Sequence, residues 1–238
     1  MIEAVIVDDE RLARKDLRAV LQQFPFITIT GEASNVAEAL QLIERTLPQL
    51  IFLDIEMPEA NGFTLLEQLK TVPEVIFTTA YDAYAIKAFE VNALDYLLKP
   101  VTSKRLAESL ERLQEVTKPA VQQTAQYPEL REKIFVKDGE RCWFIPLGDI
   151  RLLESTGSYT RICFGKHAPL LARSLQAMES RLNPQYFFRA SRKHIVNLEH
   201  VQHIIALNQY MLQLELTDGT KIPVSRRQSI LFRELRGI

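Results

Sequence analysis

Leu50-Ile51-Phe52-Leu53-Asp54-Ile55-Glu56-Met57-Pro58 sets four apolar residues directly before a carboxylate. A short unbroken apolar run reads as a strand buried on both faces, as in a parallel sheet with helices on each side. The charge comes at the carboxyl end of that run, and in open α/β sheets ligands bind beyond the carboxyl ends of the strands. Asp54 is thus a candidate site residue. Its chemistry depends on what the neighbouring strands deliver to the same edge.

Towards the amino terminus, Ala4-Val5-Ile6-Val7 is a second apolar run, and it stops at Asp8-Asp9. Leu17, Val20, Leu21 and Phe24 recur at helical spacing ahead of Pro25. Residues 27–30 suit a strand. Asn35 suits the cap of a helix whose apolar face is Val36, Ala39, Leu40 and Ile43. On the other side, Asn61-Gly62 turns the chain into a short helix with Phe63, Leu66 and Leu69. Val75-Ile76-Phe77-Thr78 runs to Thr79-Ala80, and an alanine-rich helix follows. Asp95-Tyr96-Leu97-Leu98 ends at Lys99-Pro100. Residues 103–116 close as a helix with Leu106, Leu110 and Leu113 inward. This alternation predicts a doubly wound, flavodoxin-like parallel sheet of five strands. Its carboxyl edge gathers Asp8, Asp9, Asp54, Thr79 and Lys99.

Three carboxylates close together repel and raise one another's pKa, but a divalent cation among them keeps them ionised. Mg²⁺ suits hard oxygen donors and keeps waters for a phosphoryl group. A carboxylate attacking phosphorus gives an aspartyl phosphate. A lysine then stabilises the transferring oxygens, and the Thr79 hydroxyl can bond to the new group. The plainer readings are a helix N-terminus that favours Asp8-Asp9 and a solvated strand end at Lys99. They do not explain why five such groups fall at the ends of four strands. A haloacid-dehalogenase-type phosphatase would need a second aspartate two positions after the nucleophile, where Glu56 stands.

Residues 1–117 resemble the receiver domain of bacterial two-component response regulators. The matching motifs are Val7-Asp8-Asp9-Glu10, Leu53-Asp54-Ile55-Glu56-Met57-Pro58, Thr79-Ala80 and Tyr96-Leu97-Leu98-Lys99-Pro100. The resemblance implies that Asp54 is the phosphoacceptor. It implies Mg²⁺ held by Asp8, Asp9, Asp54 and the main-chain carbonyl of Glu56. Thr79 and Lys99 would sense the phosphate, Tyr96 would be an aromatic switch, and the bond before Pro100 would be cis. Tyr96 can also be read as a gap-filling side chain with a wet hydroxyl.

The net charge of −1 conceals a division. Residues 1–117 hold 11 Lys+Arg against 19 Asp+Glu, and residues 118–238 hold 18 against 11. An acidic half joined to a basic half points to two domains with different partners, and basic charge suits nucleic acid, acidic lipid or acidic protein. With 47% hydrophobic and 25% charged residues the chain reads as globular, and its apolar runs are too short to span a bilayer. The acidic Asp8-Asp9-Glu10 argues against a secretory leader, so a cytoplasmic protein is expected. Cys142 and Cys163 lack metal-ligand spacing and read as reduced thiols. His200 and His203 are assigned no role.

Residues 118–130, with two prolines and several glutamines, read as a linker between domains at 1–117 and 131–238. Beyond it, hairpin signals recur. Asp138-Gly139 lies between residues 133–136 and 142–145. Ser155-Thr156-Gly157-Ser158 separates two longer runs, and Asp218-Gly219 turns the last hairpin. Strands are expected at 201–205 and 210–216, one clear helix at 174–182, and a short helix after Ser225-Arg226-Arg227. This is a mainly antiparallel β domain. Its cations cluster at Arg189, Arg192, Lys193 and His194, and at Arg226 and Arg227. Arginine forks suit phosphate and guanine edges, although a solvated basic face is also common. No arginine-rich recognition helix stands out, so loops are expected in the DNA grooves.

Residues 131–238 resemble the LytTR DNA-binding domain. The matching pattern is Leu153-Glu154-Ser155 with Tyr159, then Phe188-Arg189-Ala190-Ser191-Arg192-Lys193-His194-Ile195-Val196-Asn197, then Ile222-Pro223-Val224-Ser225-Arg226-Arg227. The family commonly has His-Arg where this chain has Ser191-Arg192. The resemblance implies DNA contacts from Tyr159, Arg192, Lys193 and Arg226, and the cation clusters add Arg189 and Arg227 as expected contacts. The whole chain resembles a LytTR-type (LytR/AlgR) response regulator. That implies a LytS-type membrane sensor histidine kinase as partner, dimerisation on phosphorylation and repeated DNA half-sites. No enzyme activity is expected beyond the receiver's own phosphoryl transfer and dephosphorylation. The other readings are an adaptor that binds RNA or protein through its basic half, and a receiver-controlled enzyme. Residues 118–238 show no nucleophile–base pair or phosphate loop for the latter.

Overall fold

Five strands, β1 (Ile2–Val7), β2 (Ile27–Ala33), β3 (Leu50–Asp54), β4 (Glu74–Thr79) and β5 (Asp95–Leu98), form one parallel sheet in the order β2-β1-β3-β4-β5. The structure is a computed structural model that describes residues 1–58, 60–80, 93–117, 128–139 and 141–237. It divides into two units, Met1–Phe144 and Ile145–Ile238.

The unbroken apolar runs follow from burial on both faces. Along β1 and β3, Val5, Val7, Ile51 and Leu53 enter one core with Leu42 and Ile43 of α2 (Val36–Thr46) and the apolar residues of α3 (Gly62–Gln68). The alternate residues Ala4, Ile6, Leu50 and Phe52 enter the other core. There they meet α1 (Arg11–Leu21) and Leu106, Leu110 and Leu113 of α4 (Ser103–Thr117). The Asn35 side chain accepts from Glu38 N and caps α2 as expected, and at the expected Asn61-Gly62 turn the Asn61 side chain accepts from Thr64 N and caps α3. The expected alanine-rich helix before Asp95 lies outside the described residues, as does most of the linker.

The first unit takes in β6 (Lys133–Asp138) and most of β7 (Arg141–Pro146). Phe135, Cys142 and Phe144 belong to the α2–α3 core. The Phe135 ring stacks on Phe63 at 6.0 Å and 13°, and meets Phe144 edge-on at 5.3 Å. Val72 N donates to Lys133 O at 2.8 Å, and Lys133 Nζ lies 2.6 Å from Glu74.

In the second unit, β8 (Ile150–Thr156), β9 (Tyr159–Phe164), β10 (Leu170–Leu171), β11 (Phe187–Arg189) and β12 (His194–Asn197) form an antiparallel sheet ordered β10-β9-β8-β12-β11. β13 (Val201–Ala206), β14 (Leu212–Leu216) and β15 (Lys221–Pro223) form another. Their inner residues share a core with Phe188 and Phe232, whose rings meet edge-on at 4.9 Å. Gly157 and Gly219 hold positive φ at the tips of two hairpins, where a side chain would be strained. Asn197 is fully buried because its amide donates to Ile150 O (2.9 Å) and its oxygen accepts from Glu199 N (3.1 Å).

Two helices differ from expectation. α5 spans only Leu175–Glu179, since Arg181 and Leu182 bond back three residues instead of four and Pro184 follows. α6 is longer than the short helix expected, running Arg226–Arg236, and carries four arginines. Its apolar anchors are sparse, with Ser229 and Phe232 its buried residues, so its sequence gives little helical signal. Both cysteines are free, as expected.

Candidate functional site

The strand register aligns the reactive groups. Val7 pairs with Leu53, Asp54 with Thr78, and Thr79 with Leu98. The residues at or just past those ends are Asp8, Asp54, Thr79 and Lys99, so four strands deliver them to one edge. Asp8 and Asp54 are buried, and one carboxylate oxygen from each of Asp8, Asp9 and Asp54 lies within 4.8 Å of the others.

Lys99 Nζ bridges two of these carboxylates. It lies 2.7 Å from Asp8 Oδ2 and donates to Asp54 Oδ2 at 2.6 Å. Burial pushes the Asp54 carboxyl above its ordinary range, and the Asp8 charge adds to this. The Lys99 ammonium opposes it. Burial pulls Lys99 down, but its bonds to Asp54 and Asp8 outweigh that and hold it above the usual lysine value. One ammonium among three carboxylates leaves the cluster deficient in positive charge. Its hard oxygen donors fit Mg²⁺.

Backbone and side-chain supports fix the carboxylates. Glu10 N donates to Asp8 Oδ1 (2.9 Å) and Glu56 N to Asp54 Oδ1 (3.2 Å). Lys99 N donates to Thr79 O at 2.8 Å, which holds the fully buried Thr79 beside the lysine. The Lys99–Pro100 bond is cis, as the motif implied. Tyr96 is buried against the α2–α3 core. Gly62 N donates to Ile55 O, and a Cβ on Gly62 would run into the Asp54 main-chain oxygen. Gly62→Ala is therefore expected to cost roughly 1–3 kcal/mol by overpacking, and a urea titration checks it. An unchanged midpoint would show that the loop after Asp54 yields freely.

Arg14 was not legible as a site residue. Its Nη1 donates to Asp8 O (2.6 Å) and Asp9 O (3.2 Å), while its Nε pairs with Glu32 at 3.2 Å. It thus clamps the turn that carries both aspartates. Asp95 is likewise buried. It accepts from Ser109 Oγ at 2.5 Å and Tyr96 N at 2.8 Å, and pairs with Arg105 and Arg112 of α4.

In the second unit, main-chain bonds join the three expected DNA-contacting segments. Ser155 N, near the β8–β9 turn, donates to Lys193 O at 2.8 Å. Ser225 N, at the start of α6, donates to Ala190 O at 2.9 Å. The segment between β11 and β12 therefore lies between the Tyr159 hairpin and the N-terminus of α6. Tyr159, Arg192, Lys193, Arg226 and Arg227 are exposed, and Arg189 is not. Arg226 and Arg227 stand in the first turn of α6, where the helix dipole disfavours cations. An anionic partner would relieve that cost. Tyr210, a residue the sequence did not single out, has the Arg226 guanidinium 4.5 Å over its ring, which fixes one of these cations.

A family model for the response regulator receiver domain matches residues 4–111, and one for the LytTr DNA-binding domain matches residues 140–237. The chain belongs to the LytTR response regulators. A response regulatory protein of Vibrio cholerae is 35% identical over 239 residues, spanning 100% of this chain and 99% of that one. The sensory transduction protein LytT of Enterococcus faecalis is 34% identical over 241 residues, and the transcriptional regulatory protein BtsR of Salmonella typhi 36% over 243, each spanning 100% of both chains. In this LytTR regulator the acidic edge lies within the receiver match, and Arg189, Arg192, Lys193, Arg226 and Arg227 lie within the DNA-binding match. No helix among the described residues is long and apolar enough to cross a membrane.

Proposed function

We propose that the chain is a cytoplasmic transcription regulator switched by phosphorylation at Asp54. The observation that carries this is the Lys99 ammonium seated between Asp8 and Asp54 at the edge where Thr79 also ends. A phosphohistidine of a sensor histidine kinase, of LytS type, is the expected donor. An Asp54 oxygen attacks phosphorus, the phosphorus–nitrogen bond breaks with its electron pair going to nitrogen, and the imidazole, already protonated on its other ring nitrogen, leaves neutral. Asp8, Asp9, Asp54 and the Glu56 carbonyl would hold Mg²⁺, which when bound neutralises charge on the transferring oxygens. Lys99 is already within bonding distance of Asp54 and follows the new phosphoryl group. Thr79 moves to it, and Tyr96 repacks into the space Thr79 vacates.

The added charge of about −2 shifts the face formed by the last helices and strand of the receiver, which becomes a homodimer contact. Two DNA-binding domains then meet repeated half-sites together, and effective concentration raises affinity without new base contacts. The relatives' names as transcriptional regulators support this reading, as do the exposed cations joined around Ala190–Ser225. The chain carries out no chemistry beyond its own phosphorylation and dephosphorylation.

The test is retention of fragmented host DNA by the purified protein, with and without acetyl phosphate and Mg²⁺. A repeated motif enriched more strongly after phosphorylation is expected. Equal enrichment in both states would remove Asp54 as the switch. No enrichment in either state would turn the search to RNA or protein partners.

A further inference from the structure

All four carbonyls of the segment between β11 and β12 are held by the protein itself. The Ala190 oxygen accepts from Ser225 N at 2.9 Å and the Lys193 oxygen from Ser155 N at 2.8 Å. The two between them are taken by one side chain. Arg189 Nε donates to Ser191 O at 2.6 Å, and Arg189 Nη2 to Arg192 O at 2.9 Å. Its remaining nitrogen, Nη1, donates to Glu179 of α5 at 2.9 Å. Each nitrogen of the fork therefore has an internal partner, and the charge is matched by a carboxylate. The Arg189 side chain is only 18% exposed, whereas Arg192 and Lys193 are exposed. The Ser191 hydroxyl completes the turn. It accepts from Lys193 N at 3.1 Å and lies 3.1 Å from His194 Nδ1.

We infer that Arg189 is a positioning residue for DNA recognition: it moulds residues 190–193 so that Arg192 and Lys193 face the DNA, and it makes no DNA contact itself. This rests on the DNA-binding reading above. The physical reason is geometric. A planar fork sends donors in fixed directions from three separate nitrogens, so it spans two successive carbonyls and a carboxylate at once, whereas the three donors of an ammonium all leave from one nitrogen. A phosphate contact, by contrast, needs charge at one point, which a lysine supplies.

The test compares full-length wild type with Arg189→Lys, Arg189→Ala, Glu179→Ala and Lys193→Ala. Each binds two probes across a salt series: the duplex enriched from host DNA and a random-sequence duplex. Arg189→Lys is expected to lose about tenfold in affinity for the enriched duplex, and less than about twofold for the random one, as lost positioning should. Arg189→Ala should keep the wild-type salt slope, whereas Lys193→Ala should lower it by about one, the mark of a lost phosphate contact. Glu179→Ala should weaken specific binding although it makes the protein more positive. Urea midpoints separate these effects from unfolding, and Glu179, half exposed, gives a variant that keeps the fold. Wild-type discrimination in Arg189→Lys, a slope lowered by one in Arg189→Ala, or tighter binding by Glu179→Ala would each overturn the inference. If wild type itself enriches no sequence, the DNA reading fails first and the inference with it.

Discussion

Asp54→Asn is expected to abolish acid-labile phosphorylation by acetyl phosphate and Mg²⁺, with no residual label. The amide keeps the size of the carboxylate, but its single oxygen can take the place of only one of the two that accept from Glu56 N and Lys99 Nζ. What it loses is the anionic oxygen that attacks phosphorus. The buried cluster also loses one of three carboxylates that share one ammonium, so like-charge repulsion falls. The variant should therefore unfold at a urea concentration no lower than wild type, which separates lost chemistry from a lost fold. Any gain in DNA retention on phosphorylation should vanish with the label. The nearest alternative acceptor is Asp8, whose oxygen also lies beside Lys99. An undiminished label in Asp54→Asn would move the acceptor there and sink the assignment of Asp54.

The acidic edge was legible because its constraints are local and repeated. A strand buried on both faces must be apolar throughout, so the first charge marks its end. That rule placed Asp8, Asp54 and Lys99 before any contact was known. Asn35 announced its helix by the same local logic, since a cap needs only a side chain reaching three residues ahead, and Asn61-Gly62 announced the next one as a turn. The residues that support the site left no such trace. Arg14 reaches back to the Asp8 and Asp9 carbonyls while pairing with Glu32 on another strand. Glu179 meets Arg189 only because α5 packs against β8, β9 and β12, in the sheet that also carries β11. Such contacts depend on which elements cross, and a surface arginine that clamps a loop has the same sequence signature as one that waits for phosphate. The length of α6 was hidden for a related reason. Its helical form is anchored by Phe232 and by Ser229, whose hydroxyl accepts from Leu212 N, and a buried serine does not mark an apolar face.

Phe135→Ala is expected to cost about 3–5 kcal/mol, the usual range for emptying a buried aromatic site, and to cost it in the first unit. Charge and the hairpin signal at Asp138-Gly139 assign this residue to the basic half, because alternation tells which side of a strand is apolar but not which core it enters. In the structure the Phe135 ring lies against Phe63 and Phe144, and Phe63 in turn meets Phe77 of β4 at 5.3 Å. Phe63 follows Gly62, whose amide bonds to Ile55 just past Asp54. The cavity would therefore open beneath the loop that follows Asp54. Hydrogen exchange of the full chain reads this by segment. Amides in β3, α3 and β4 should lose protection, while those in β8, β9 and β12 keep it. Loss confined to β8, β9 and β12 would mean that the hairpin stabilises the DNA-binding sheet instead, and that its packing against Phe63 contributes little energy.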